Sequence, residues 1–219
     1  MRCATALALW AAASTASAAE PNPPTVFEYA PSQDTQCANS RQTVKPEWSR
    51  EVVDRLTELR SLWESASPAL IQAVTTLTKK PFAAPSTVHL TLCDVPSNAF
   101  FGVTVNMRYA LRSFTSSPVP MRYKVDTVFH EALHEFVLHN TPRGSALLEA
   151  NTAESFCVRN HLHLLALQKA VLLSIGDTSS LEQVIGIDTQ LPSGCYKRAW
   201  SLVNSAPQTY LLYVEELAR

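Results

Sequence analysis

His130-Glu131-Ala132-Leu133-His134 places two imidazoles four residues apart with a carboxylate between them. On an α-helix that interval displaces the two rings by about 40° and about one turn, so both can reach one ion. The glutamate beside them can then address a water at that ion. A d¹⁰ Zn2+ ion suits nitrogen donors of this kind and brings no redox chemistry. The string falls in a helical pattern: Val125, Val128, Phe129, Ala132, Leu133, Phe136 and Val137 form one apolar face over about Tyr123 to His139.

A catalytic zinc site takes a third protein ligand and keeps one open position. His139 lies nine residues after His130, about 180° around the same helix, and no glycine intervenes after His134 to bring it back. Glu149 and Glu154 follow the Thr141 to Gly144 turn, at the start of a helix expected over about Ala146 to Ser174. An antiparallel helix after a short turn lays its early residues beside its predecessor, and the interval from His134 favours Glu154 as the metal ligand over Glu149. His161 lies about 20° from Glu154 on that helix, and His163 shares the face of Glu149. Each histidine is therefore a satisfied core group or a site residue, and His161 is the one expected at the site, to bind a carboxylate or polarise a carbonyl. Tyr109, Tyr123, Tyr196 and Tyr210 are all candidate oxyanion donors.

Together with Asn98-Ala99-Phe100 at the entrance to a strand about thirty residues before the motif, these features resemble the gluzincin branch of the zincin metallopeptidases, over roughly Thr87 to Ser174. The resemblance implies an α+β zincin-like fold, predominantly helical, with a small sheet preceding the HExxH helix. It makes Asn98 and Ala99 substrate-binding through β-augmentation, His130 and His134 zinc ligands, and Glu131 the general base. The acidic residue that those families place four positions after the ligand glutamate is absent, since Val158 follows Glu154 and Ala153 follows Glu149. Whatever braces the zinc histidines must come from elsewhere.

The elements that position these residues can also be read from the chain. Residues 1–18 have a short basic start, an apolar stretch and Ala16-Ser17-Ala18, the pattern of a secretory signal too short to span a bilayer. Residues 19–45 read as an extended arm with only Val26, Phe27 and Tyr29 to bury and room for one short strand, and 46–219 as a single domain. Trp48 to Trp63 carries helical spacing, a second helix is expected over Ala69 to Thr78, and Val88, Leu90 and Leu92 alternate as a half-buried strand. Another strand is expected within Phe100 to Tyr109. Leu162 to Leu173 is apolar on nearly all sides, as in a central buried helix.

Loss of the leader removes Cys3 and leaves Cys37, Cys93, Cys157 and Cys195, an even set without CxxC spacing. Two disulfides are expected, with neighbour pairing Cys37–Cys93 and Cys157–Cys195 preferred, in a secreted or periplasmic protein. A net charge of -1 over 219 residues offers no basic excess for nucleic acid. No later segment is apolar enough to span a membrane. A peptide or protein substrate is the partner class expected, and a secreted zinc peptidase is the leading reading. A zincin-shaped binding module without turnover, and a helical interaction protein with a chance HExxH, are the alternatives.

Overall fold

The computed structural model describes residues 24–32, 34, 37 and 43–219. The leader expected over residues 1–18 lies outside the described residues, as do parts of the arm. The fold is α+β and mostly helical. Strands β1 (Val26–Tyr29), β2 (Thr87–Thr91) and β3 (Val103–Asn106) form one parallel sheet in that order. The arm thus supplies an outer strand of the sheet. Parallel neighbours need a crossover, which between β1 and β2 contains α1 (Pro46–Thr78).

The two helices expected within 46–78 are one. Trp48, Val52, Leu59, Trp63, Leu70 and Val74 are buried along a single stripe that continues past Pro68. A proline inside a helix forfeits one backbone bond and costs about 3 kcal/mol. Burial of side chains on both sides of it, each contributing roughly 1.5–3 kcal/mol, outweighs that cost and keeps the helix continuous.

Helix α2 (Met121–Asn140) carries the HExxH string and ends at Thr141, ahead of Pro142. The following helix differs from expectation. In place of one run from 146 to 174 there are α3 (Ala146–Glu149) and α4 (Phe156–Ser174), separated by a turn in which Glu154 N–H donates to Asn151 O. Ser155 caps α4, its Oγ accepting from Val158 N–H. Glu154 is therefore outside the helix, and a helical wheel drawn from it to His161 does not apply.

Leu162, Leu164, Leu165, Ala166 and Leu167 are fully buried, as a central helix requires. Around α4 pack α1, α2, α5 (Thr178–Asp188), α6 (Cys195–Val203) and α7 (Thr209–Leu217). Both expected disulfides, Cys37–Cys93 and Cys157–Cys195, are present. No helix among the described residues is long and apolar enough to cross a membrane.

Helix α7 is fastened by one buried carboxylate. Glu216 accepts from Ser145 Oγ at 2.5 Å and lies 2.9 Å from His163 Nε2. Truncation would leave two buried polar partners unmatched. The expected result for Glu216→Ala is a loss of about 3 kcal/mol in unfolding free energy, read from the urea midpoint. A loss well under about 1 kcal/mol would show that the network is not what holds α7.

Candidate functional site

His130 and His134 stand one turn apart on α2, and α4 crosses beside them with His161. One ligand-type nitrogen from each ring lies within 4.8 Å of the other two. The ring centroids are 5.0, 5.1 and 5.5 Å apart. His130 Nδ1 is 3.1 Å from Gln168 Oε1, and His161 Nδ1 is 2.7 Å from the Cys157 carbonyl. Both partners are acceptors, so each Nδ1 carries the proton and each Nε2 keeps a free lone pair. His161 Nε2 is buried without a hydrogen-bond partner among the described residues, as is Glu131 Oε2.

Burial, then the neighbouring His134 and His161, holds His130 well below the usual imidazole range. Burial and then His161 lower His134 to about 4. His161 is lowered by burial, against the opposing bond to the Cys157 carbonyl. Three neutral imidazoles at neutral pH form a donor set ready for a cation. Burial pushes Glu131 up to about 8, and its Oε2 lies 3.8 Å from His134 Nε2. A cation held by the imidazoles would favour the ionised form of this carboxyl group.

Glu154 does not join this group. Its Oε1 accepts from Arg198 Nε at 3.0 Å and from Arg198 Nη2 at 2.6 Å. The residue that stands with His130 and His134 is His161 and not the expected Glu154, because the chain does not become helical until Phe156. Glu149, the alternative, is exposed at the end of α3. His163 is a satisfied core histidine on Glu216. His139 is exposed and bonds back to Glu135 O.

Of the tyrosines, Tyr196 is the one at the histidines. Its hydroxyl is 3.4 Å from His130 Nε2, and its ring centroid is 4.6 Å from that of His161. Cys157 and Cys195 tie the first turn of α4 to the first residue of α6, which fixes His161 and Tyr196 relative to each other. Two further groups, Cys157–His161–Cys195 and Asp34–Cys37–Cys93, also bring ligand-type atoms together. Their sulfurs are spent in disulfides and supply no thiolate.

Asn98 pairs with Thr104 in a one-residue antiparallel bridge on the outer side of β3, its N–H and C=O both bonded to Thr104. Asn98 therefore holds the edge. Ala99 follows in a turn in which Phe100 N–H donates to Asn98 Oδ1. Ala99 and Glu131 both line a cavity of about 550 Å³. Glu131 also lines a second cavity, of about 630 Å³, with His130, Gln168 and Tyr196. The carboxylate stands where the two cavities meet.

Sequence reasoning missed Gln168 as the partner of His130, though it lies seven residues after His161 and so on the same face of α4. No protein-family model matches the chain, and no curated protein or solved structure matches it.

Asp126, on α2 and against the larger cavity, makes the stability pH-dependent. Burial raises its carboxyl from 3.8 to about 7, with Arg122 opposing. The folded chain then holds a proton that the unfolded chain has released, so this contribution is present below about pH 4 and is lost as pH rises through 7. Unfolding free energy is expected to decline over that interval by roughly a few kcal/mol more in the wild type than in Asp126→Asn. Parallel pH curves from chemical denaturation would contradict this origin.

Proposed function

We propose that the chain is an exported zinc-dependent peptidase of zincin-like design, with His130, His134 and His161 as the metal-binding residues. The observation that carries this reading is the convergence of three neutral imidazoles from two helices, two with Nδ1 already committed, beside a buried glutamate where two cavities meet. The unpartnered His161 Nε2 and Glu131 Oε2 are the atoms that a cation and an attacking water would satisfy. Nitrogen-only donors favour zinc over magnesium or calcium. A histidine as third ligand departs from the glutamate-bearing branch that the sequence resembles.

Zinc held there would supply Lewis-acid polarisation of the scissile carbonyl and a lowered pKa for an attacking water. The chain's own residues carry the rest. Glu131 accepts the proton of the water and returns it to the leaving amine. Gln168 and the Cys157 carbonyl hold two of the imidazoles in the tautomer that exposes Nε2. The Tyr196 hydroxyl is placed to donate to the developing oxyanion, and burial holds that phenol protonated well above neutral pH. The edge that Asn98 and Ala99 form beside β3 would receive an extended peptide by strand addition. Two disulfides fit an oxidising compartment.

Glu131→Gln is expected to retain zinc and to lose about 10² to 10⁴ in hydrolysis of a peptide library, since an amide is nearly isosteric with a carboxylate and cannot accept the proton. Unchanged turnover would remove Glu131 from the reaction. Stoichiometric zinc in a wild-type chain that cleaves no peptide would favour a binding module instead.

A further inference from the structure

The wall of the 630 Å³ cavity contains a lysine with no ionic partner among the described residues. Lys124 is 5% exposed and lines this cavity. Among the described residues no carboxylate or hydrogen-bond acceptor is paired with its ammonium, and its recorded contact is the Tyr123 ring at 5.6 Å. Burial lowers its pKa to about 8, which leaves it mostly protonated at neutral pH.

Four acidic residues, Asp94, Asp126, Glu131 and Asp188, also line this cavity, and none is paired with Lys124. Asp188, from α5, accepts from Tyr123 Oη at 2.8 Å and from Trp200 Nε1 at 3.0 Å. Asp126 Oδ1 lies 3.1 Å from Arg122 Nη2, but neither of its buried oxygens makes a hydrogen bond among the described residues, and the same holds for Glu131 Oε2. Asp94, exposed, accepts from Tyr109 Oη and lies 3.7 Å from Arg108. The remaining wall is largely apolar, with Val95, Val119, Val184, Ile187 and Leu191. A buried, unpaired cation in an apolar cavity is costly and gains most from an anion that enters with a complementary geometry.

Lys124 precedes Glu131 by seven residues, which puts the two on one face of α2 about 10 Å apart along the axis. A substrate group that reaches Lys124 is therefore within a residue or two of the bond presented to Glu131. We infer that this cavity is a specificity pocket for a substrate carboxylate, with Lys124 as its counter-ion. The inference rests on the peptidase reading above and names its substrate class: peptides with an acidic side chain, or a chain-terminal carboxylate, beside the cleaved bond.

The test uses the full chain loaded with zinc and three short peptides bearing a metal-binding hydroxamate, identical except at the residue next to it: glutamate amide, glutamine amide, and glutamine with a free C-terminal carboxylate. One of the two acidic ligands is expected to bind the wild type about tenfold or more tightly than the neutral one. Whichever acid gains tells a side chain from a chain terminus. Lys124→Met, with zinc content as the check on folding, is expected to bring that ratio to about one, and Lys124→Arg to keep most of it. Equal affinities in the wild type, or a preference that survives Lys124→Met, would overturn the pocket and leave the peptidase reading standing. If none of the three ligands binds the zinc-loaded chain, both readings fall together.

Discussion

The crossing of α2 and α4 is the constraint on which the rest of the structure depends. Each helix alone offers an incomplete donor set: two imidazoles on one, a third on the other. Their packing buries His130 and His161 and half-buries His134, and the first effect is to make protonation costly. Desolvated nitrogens with their lone pairs exposed are unfavourable unless something occupies them. Fixing two rings through Nδ1 removes part of the rotamer entropy that binding a cation would otherwise have to overcome.

The surrounding fold serves that crossing. Helix α4 is buried on nearly every side, so His161 cannot shift without disturbing contacts to several helices. The Cys157–Cys195 bridge secures its first turn and carries Tyr196 into place. On the opposite side, the sheet sets the position of Ala99 through the Asn98–Thr104 bridge. The second disulfide joins Cys93, just after β2, to Cys37 of the arm.

Much of this was legible in the chain because it depends on short-range periodicity. The HExxH helix, the apolar α4, a short strand somewhere in the arm and the neighbour pairing of the cysteines all follow from local spacing. That His161 and not Glu154 stands with the two histidines was not legible, for a specific reason. A continuous helix from 146 to 174 would have linked Glu154 to His161 by their angular interval. The Ser155 cap breaks that link and turns Glu154 toward Arg198. Serine ahead of an apolar run is a recognised helix start, so the signal was present in the chain but outweighed by the length of the apolar pattern. Gln168, Tyr196 and Lys124 gain their meaning from tertiary neighbours, which no single-helix pattern encodes.

The most direct measurement of the account is zinc stoichiometry and affinity, by metal analysis and competition titration, for the wild type, His161→Ala and Glu154→Ala. Three-histidine coordination predicts one zinc per wild-type chain, an unchanged value for Glu154→Ala, and for His161→Ala a loss of affinity of at least the 10- to 100-fold, roughly, that removal of a mere supporting group costs. Full affinity in His161→Ala, or a loss confined to Glu154→Ala, would contradict it.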